Sequence, residues 1–481
     1  MTEDLQTRAE TPTGDGDAGL RRGVMGGGEL AAQAIANIAP SAVIAFTAAA
    51  IYTSASNGTW VSFALATVVI LSVGYCISQF AKRRSSAGSL YSYAATALGP
   101  FGAYLTGVSL IIGCFGIAAG SLSGSVAYTA TLLNQLGIPI HGVAAQIVLA
   151  AVLGALATLF TIRGIRLSAR VSLVLELVSV SIITLLLVFT LVHLGANAFD
   201  ADQFDLSGAK PSGIAVGMVL AILGFVGFSS ADALAREAKD PYRAVPRAIM
   251  WSAAGVGVLY VFAAYTQVAA LGPALGESAQ PLNDLATLVG MPGWFNPILD
   301  FGIAASFFAV VVAPMNVIGR ILYVMGKEGV VPSAIGRTHP THLTPHRALI
   351  SVGPLVIAVP VVLYLVGVDA MDVVTWVDTY GTYGYMVAYA AAAIAAVVFL
   401  RSIKVRVRMV WPAATLAIGS MAYVFYANVY PVPAYPLNVI PWLFLATVAA
   451  ALAWYWILSR RSPEVIAKIG TSDMETLEGI G

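Results

Sequence analysis

The sequence predicts an all-α membrane protein with twelve transmembrane helices, of which the first and the sixth are discontinuous. Three observations support this fold class: the composition, the distribution of positive charge, and two interrupted apolar segments. Of the 481 residues, 58% are hydrophobic and only 10% are charged, whereas an ordinary soluble domain carries about 25% charged residues. This composition is typical of a polytopic membrane protein rather than of a large soluble domain.

Twelve apolar segments are long enough to cross a bilayer, which requires about 20 largely apolar residues. The sixth segment is interrupted by glycines and serines, and the tenth begins with acidic residues. The predicted spans are 29–54, 59–80, 101–133, 141–162, 167–193, 212–235, 246–271, 294–322, 347–368, 371–400, 409–430 and 437–459.

The positive charges alternate in step with these spans. If the N-terminus is inside, 24 of the 25 lysines and arginines lie in cytoplasmic loops or tails, and Lys210 alone lies outside. An excess of lysine and arginine marks the cytoplasmic side. A miscounted helix would invert every later loop, so the alternation favours twelve spans in the cytoplasmic membrane with both termini inside. Residues 1–25 are predicted to be a disordered cytoplasmic tail, and residues 461–481 a second cytoplasmic tail.

Matching interruptions occur in the first and sixth spans. In QAIANIAPSAVIAFTAAAIY, residues 33–52, Pro40 removes one backbone donor in the middle of the span. In the sixth span, Gly224 and Gly227 weaken the helix at a similar depth. Many secondary transporters consist of two inverted repeats with a discontinuous helix at the same place in each. Either break alone is equally well explained as a kink or a packing notch, but two breaks five helices apart favour a substrate site.

Such a site binds its ligand mainly through the main chain. The amides after Pro40 begin a half-helix whose positive end suits a carboxylate, and carbonyls freed at either break can accept from an ammonium group. The pattern therefore predicts a zwitterionic substrate. The predicted substrate-binding residues are Ala39, Pro40, Ser41, Ala42 and Val43 at the first break and Phe225, Val226, Gly227 and Phe228 at the second.

Three segments resemble the amino acid–polyamine–organocation permeases. They are AGSLYSYAATALGPFGAYLTG at 87–107, GFVGFSSADALAREAKDPYRAVPRAI at 224–249 and NVIGRILYVMGKEGVVPSAIGRTHP at 316–340. The similarity extends over about residues 29–460. It implies an inverted-repeat transporter fold, with helices 1–5 (26–194) and 6–10 (195–400) as the repeats and helices 11–12 (401–460) outside them.

The resemblance also implies roles for single residues. The family's first-helix break often reads Gly-Ser-Gly, and here Pro40-Ser41-Ala42 stands in its place. The aromatic-x-Gly pattern of the sixth helix is kept, which implies that Phe225 is the gate that closes over the substrate from outside. A glutamate often found two residues after that glycine is Ser229 here.

Glu176, the one charged residue deep in the fifth span, is the candidate proton carrier. An acid within a membrane span is a functional candidate by default. Some relatives place a lysine slightly further along this helix, at the position of Ser179. Two interpretations remain open: Glu176 carries the coupling proton, or it is a structural acid held by a hydroxyl or a basic residue. The sodium ligands of this fold come from the eighth helix, where residues 307–319 contain no Ser or Thr, so protons or ion-free exchange are favoured.

The sequence thus predicts a secondary active permease for an amino acid or a close derivative, driven by protons or working by exchange. An alternative is a polyamine or simple amine importer, in which Glu176, Asp300 and Asp378 pair with ammonium groups. Asp378 belongs either to an outer vestibule that attracts amines or to an interfacial aromatic belt. A channel or a membrane enzyme is a further alternative, although the chain shows no pore ring, no clustered nucleophile and base, and no nucleotide-binding loop. We predict no catalytic residue, cofactor, metal or nucleic-acid partner; the expected partners are a small solute, the bilayer and protons.

Overall fold

A computed structural model describes residues 20, 23–278, 280–470 and 475–476, apart from the side chains of residues 165, 166, 168, 169, 475 and 476. Most of the predicted N-terminal tail, and residues 471–474 and 477–481 of the C-terminal one, lie outside the described residues.

The described chain is almost entirely helical. The α-helices are α1 (Gly27–Ile38), α2 (Pro40–Ala55), α3 (Thr59–Ala81), α4 (Leu90–Gln135), α5 (Gly142–Arg163), α6 (Ile165–Leu194), α7 (Ala201–Phe204), α8 (Pro211–Leu223), α9 (Pro241–Leu271), α10 (Pro281–Leu288), α11 (Phe295–Glu328), α12 (His346–Leu365), α13 (Ala370–Ser402), α14 (Val410–Ala427), α15 (Ile440–Arg461) and α16 (Pro463–Lys468). Short 3-10 helices cover Ser56–Gly58, Gly195–Ala198, Ser230–Glu237, Gly272–Glu277 and Ser333–Gly336. Two strands, β1 (Arg84–Ser85) and β2 (Glu475–Thr476), pair antiparallel.

In the described part of the chain, ten helical stretches are long and apolar enough to cross a membrane, and α8 is a shorter apolar helix. The first stretch, Gly27–Ala81, is 55 residues long and holds α1, α2 and α3. The prediction of an all-helical protein with many membrane-capable helices is confirmed. The count of twelve spans stays a prediction.

Helix α11 lies at the centre of the bundle and is almost entirely buried. It packs against α4 and α6, and α13 runs along α4. Glycines bring α4 and α13 into backbone contact: a Cβ on Gly116 would lie 2.5 Å from the Cα of Gly381, and a Cβ on Gly384 would lie 2.3 Å from the carbonyl oxygen of Ser109. Small residues at such an interface let two membrane helices approach closely. The contact fixes two walls of the site described below.

The first break is confined to one residue. Helix α1 ends at Ile38, and α2 begins at Pro40, where proline is well tolerated as the first helical residue. Ala39 between them is left-handed, with φ 56° and ψ 56°. A residue that precedes proline is disfavoured in the right-handed helical region, so Pro40 enforces this interruption.

The second break is longer. Helix α8 ends at Leu223, residues 224–229 form turns, and a 3-10 helix follows over Ser230–Glu237. Gly227 has a φ of +92°, which side-chain-bearing residues rarely adopt. A six-residue turn that contains Gly224 and Gly227, the two glycines from which the break was predicted, thus separates the two helical parts.

Candidate functional site

The two breaks meet through side-chain hydrogen bonds. The Asn37 Nδ2, at the end of α1, donates to the carbonyl of Gly227 at 3.1 Å and to the Tyr385 hydroxyl at 3.4 Å. The amide of Gly227 donates to the hydroxyl of Tyr389 at 3.0 Å. Both main-chain groups of Gly227 are therefore already bound by the protein itself.

Other main-chain groups near the breaks are bound in the same way. The Tyr260 hydroxyl donates to the carbonyl of Gly224 at 2.9 Å, and the Ser230 hydroxyl donates to the carbonyl of Gln33 at 3.0 Å. Gln33 Nε2 in turn donates to the carbonyl of Ala313 on α11 at 2.8 Å. Irregular backbone at membrane depth is tolerated only where such partners exist. Polar side chains of α1, α9 and α13 thus bind the second interruption, and Ser230 after it binds a carbonyl near the end of α1.

A cavity of about 240 Å³ lies at this junction, between α1, α2, α4, α8, α11 and α13. Sites for drug-sized ligands measure roughly 300–1,000 Å³, so this cavity suits a smaller solute. Its walls are mostly apolar and include Phe46, Phe307 and Val310. The polar side chains that line it are Asn37, Thr47, Ser121, Thr375, Asp378, Thr379 and Thr382.

The structure divides the nine predicted binding residues into two groups. Those that line the cavity are Ala39, Ala42, Val43 and Val226. Those that are packed among the helices, outside the lining, are Pro40, Ser41, Phe225, Gly227 and Phe228.

Phe225, the predicted gate, points away from the cavity. Its side chain is fully buried, and its ring meets that of Tyr260 edge-on with the centroids 4.9 Å apart. Phe228 packs likewise against Tyr389. The aromatic rings that do line the cavity belong to Phe46 on α2 and Phe307 on α11.

Glu176 is held at the first break. Its Oε1 accepts hydrogen bonds from the Ser41 amide at 3.3 Å and from the Ser41 hydroxyl at 3.1 Å. The carboxylate is 1% exposed, and its Oε2 has no partner. Ser306 on α11 lies close to the same carboxylate. The positive end of α2, predicted to receive a substrate carboxylate, therefore already binds a carboxylate of the protein.

Asp378 lies on α13, on the cavity wall. Its side chain is partly buried, and its Oδ1 is fully buried without a hydrogen-bond partner. A Cβ on Gly120 of α4 would lie only 2.1 Å from this oxygen. The absence of a side chain at Gly120 therefore makes room for the carboxylate.

A buried ion pair joins α11 to the 3-10 helix that follows the second break. Arg320 Nη2 lies 2.8 Å from Glu237 Oε2 and 2.9 Å from Oε1, and Arg320 Nε lies 3.1 Å from Oε2. Both side chains are 1% exposed. The Glu237 carbonyl also accepts from the amides of Val24 and Met25, at 2.9 Å each. The pair thus ties α11 to the segment after the break and to the residues before α1.

In the part of the chain that the structure describes, no group of three or more His, Cys, Asp or Glu side chains is arranged to hold a metal ion. Polar contacts at the breaks come from hydroxyls, amides and the Glu176 carboxylate.

Comparison with known families decides the identity of this helical bundle. The sequence profile of a family described as amino acid permease matches residues 30–458. The chain belongs to the amino acid permease family. Its membership agrees with the resemblance to the amino acid–polyamine–organocation permeases.

Individual relatives are similar to this chain over part of their length. The branched-chain amino acid permease of Bacillus subtilis is 23% identical over 61% of the chain and 65% of the relative. The chloroplastic cationic amino acid transporter 7 of Arabidopsis thaliana is 29% identical over 60% of the chain and 52% of the relative. The chain thus matches less than two thirds of the length of these relatives, which are named as permeases or transporters.

A solved structure shares the fold. It is a Na+-coupled sialic acid symporter in a substrate-bound, outward-open state, with a TM-score of 0.54 and 15% sequence identity, covering 84% of this chain and 89% of the symporter. At this identity the similarity concerns the fold alone.

Two residues central to the site were missed from the sequence. Tyr385 and Tyr389 bind Asn37 and Gly227, yet they lie in an apolar span that resembles any other buried helix. The signal that could have found them is their spacing. Tyrosines four residues apart share one face of a helix, and they follow Gly381 and Gly384, which mark that face as a close helix contact.

Proposed function

We propose that the chain is a secondary active transporter that moves an amino acid or a close derivative across the cytoplasmic membrane. The observation that carries this proposal is the cavity of about 240 Å³ at the point where the two helix breaks meet. Discontinuous helices form the substrate sites of many secondary transporters. The names of the relatives, one for branched-chain and one for cationic amino acids, support the substrate class.

The proposed topology has twelve spans with both termini cytoplasmic. Three features support this count. The first apolar stretch holds one span on each side of Ser56–Gly58, and α8 with the 3-10 helix after it forms one discontinuous span. The remaining long apolar helices supply the other spans. The five-helix offset of the breaks supports two inverted repeats over 26–194 and 195–400. The similarity in fold to a known symporter supports the same arrangement.

We propose that Glu176 couples transport to protons. A carboxylate of the substrate that approaches α2 would compete with Glu176 for the Ser41 amide. The Val43 amide donates to the Ala39 carbonyl at 3.0 Å, so few donors remain at this helix end. Two carboxylates close together cannot both stay ionised cheaply. Protonation of Glu176 would release the amide for the substrate, which links the binding of a proton to the binding of the substrate.

Importing a polyamine or a simple amine is the second candidate function. Asp378 favours it, because among the described residues it is the one acidic side chain that lines the cavity. A ligand without a carboxylate would leave the Ser41–Glu176 contact undisturbed.

Uptake of radiolabelled amino acids into proteoliposomes, driven by a pH gradient without ATP, tests the proposal. Glu176→Gln keeps the shape of the side chain and removes its charge, so we expect uptake to lose its dependence on the pH gradient while exchange between equilibrated sides persists. Asp205→Asn, the corresponding change in an exposed loop, serves as the matched control and should behave as the parent does. Full pH-driven accumulation by Glu176→Gln would show that Glu176 is structural.

A further inference from the structure

We propose that the loop between α13 and α14 binds the headgroup phosphate of an anionic phospholipid in the cytoplasmic leaflet. The inference goes beyond the transport of a solute, and it relies on the proposed topology only for the side of the membrane on which the loop lies. The site is a cavity of about 680 Å³, here called the basic cavity, whose charged lining consists of Arg401, Lys404, Arg406 and Arg408.

The sequence of this loop alternates cationic and apolar residues. Among residues 404–408 the three cations are exposed, whereas Val405 and Val407 are half-buried and pack against the helical core. Successive side chains of an extended segment point to opposite faces, and residues 405–407 lie outside any helix or turn. The two valines therefore fix the loop to the protein, and the alternation leaves Lys404, Arg406 and Arg408 together on the other face.

No acidic side chain of the neighbouring sequence neutralises these charges, because residues 379–463 contain no Asp or Glu. In the described part of the chain, none of the four cations forms a salt bridge. Arg320, by contrast, is paired with Glu237. An anion with several acceptor oxygens suits such a cluster, and arginine binds phosphate through two parallel hydrogen bonds.

Lys404 occupies a backbone position that favours glycine. It follows the last turn of α13, its φ is +56°, and its amide donates to the Arg401 carbonyl at 3.1 Å. Glycine is the usual residue at a left-handed helix end, because a side chain is strained there. A lysine in this place indicates that its charge at the basic cavity has a use beyond ending the helix.

The apolar part of the lining favours a lipid over a soluble phosphate. Leu400 and Trp411 belong to the cavity wall, and the Arg401 guanidinium lies over the Trp411 ring, 4.4 Å from its centroid. Trp411 is 48% exposed, and exposed tryptophans in membrane proteins concentrate at headgroup level. Ile394 and Val398 precede Arg401 on the same face of α13 and are exposed. A phospholipid places its phosphate among the cations and its acyl chain along this face.

The test measures lipid binding directly. The purified full chain is kept in a neutral detergent, and native mass spectrometry counts bound phosphatidylglycerol or phosphatidylcholine as each lipid, with identical acyl chains, is titrated. The first phosphatidylglycerol should bind at least tenfold more tightly than phosphatidylcholine, because each cation near an anionic headgroup adds to the attraction. Equal affinities for the two lipids would overturn the inference.

Two variants connect this preference to the basic cavity. Arg406→Gln combined with Arg408→Gln removes two charges and should lower the affinity for phosphatidylglycerol at least tenfold, with no change for phosphatidylcholine. Lys404→Gly removes one charge and relieves the left-handed strain, so it should lower the affinity severalfold while the melting temperature stays equal or rises. Unfolding cannot produce that combination. Unchanged affinity for phosphatidylglycerol in Lys404→Gly and in the folded double variant would contradict the inference.

Arg460→Gln combined with Arg461→Gln is the matched control. Both arginines are exposed at the end of α15, and Arg460 lies over the Trp456 ring at 5.1 Å from its centroid, but neither lines the basic cavity. This variant should keep the parent's affinity for phosphatidylglycerol. An equal loss in the control would reduce the effect to general attraction between positive charge and anionic lipid, and the inference would be wrong.

Competition separates a lipid from a soluble phosphate. Inorganic phosphate and glycerol 3-phosphate, added in large excess, should not displace phosphatidylglycerol, because neither has an acyl chain to occupy the apolar face of α13. Displacement by either compound would show that the basic cavity takes a soluble phosphate, and the lipid assignment would fail. Transport is not measured in this test, so failure of the transporter proposal leaves the result intact, and failure here leaves that proposal intact.

Discussion

At the level of single residues, Gly227 is the position where the second break is least tolerant of change. A Cβ there would lie 2.6 Å from the Nδ2 and 2.7 Å from the carbonyl oxygen of Asn37, and the backbone φ is +92°. The added atoms would push Asn37 away and separate the two breaks.

Gly227→Ala should therefore abolish transport and lower the melting temperature. The backbone strain alone is about 1–2 kcal/mol, and loss of the Asn37 hydrogen bond adds about 1 kcal/mol. Gly255→Ala on α9 is the control, because a Cβ at Gly255 meets no atom within 4 Å. Normal uptake by a folded Gly227→Ala variant would contradict the role assigned to this contact.

Arg320 and Glu237 show that a sequence motif can contain a residue of a buried ion pair without predicting its partner. Each lies in a segment that resembles the permeases, NVIGR and AREAKDP. Neither segment predicts the other's position, because residues 83 apart in the chain meet only through tertiary packing. The buried, bidentate ion pair explains why both residue types occur where they do.

Removing one partner of this pair should be worse than removing both. Arg320→Ala removes the positive charge that faces the buried Glu237 carboxylate, and removing one partner of a buried ion pair costs about 3–5 kcal/mol. The double variant Arg320→Met with Glu237→Leu removes both charges and restores apolar volume, so it should melt at a higher temperature than either single substitution. A double variant that is less stable than both single variants would show that the ion pair itself stabilises the fold.

At the level of elements, the first break depends on the backbone dihedral angles φ and ψ of one residue, Ala39. Ala39 is left-handed because Pro40 follows it. The sequence located this break at Pro40. Hydrogen bonding explains why it is one residue long: the Ala39 amide still donates to Ile35 at 3.3 Å, and the Val43 amide donates to Ala39, so both helices continue up to the single residue between them.

Pro40→Ala should lower uptake at least tenfold without lowering the melting temperature. Alanine restores a backbone donor for Ala36 and allows Ala39 to become helical, which favours a continuous helix and relieves about 1–2 kcal/mol of left-handed strain. Pro354→Ala is the control, since Pro354 also lies inside a helix but is exposed. Transport by Pro40→Ala at the parent's rate would mean that the break does not depend on proline.

Helix α4 illustrates the limit of hydropathy as a guide to element boundaries. The predicted span begins at residue 101, whereas the structure continues the helix back to Leu90 through a kink at Gly99, with φ 70°. Residues 90–98 include polar side chains such as Ser92 and Tyr93, which are buried against other helices rather than against lipid. Hydropathy measures the preference for lipid and therefore misses helical turns that are buried by protein.

At the level of the whole molecule, composition and charge were enough to predict an all-helical membrane protein, because both follow from the bilayer itself. The cavity was not predictable to the same degree. Its lining comes from α1, α2, α4, α8, α11 and α13, and which face of each helix meets the others is decided by tertiary packing. Thus the sequence left Asp378 assigned either to a vestibule or to the interface, and its contact with Gly120 and its place in the cavity lining come from tertiary packing.

Membrane topology is the remaining prediction at this scale, and the discontinuous sixth span is its critical point. Asp202 lies on an exposed segment before α8, and Glu277 lies on an exposed segment after α9. The test uses the variants Asp202→Cys and Glu277→Cys. If α8 and the 3-10 helix after it cross the membrane together, two crossings separate the cysteines, and both should react with a membrane-impermeant maleimide from outside intact cells. Arg406→Cys, exposed between α13 and α14, should react only after permeabilisation. The native Cys76 and Cys114 are buried and contribute little background. Labelling of residue 202 without residue 277 would mean that the broken helix does not span the bilayer, and the inverted repeat would then lose its second half.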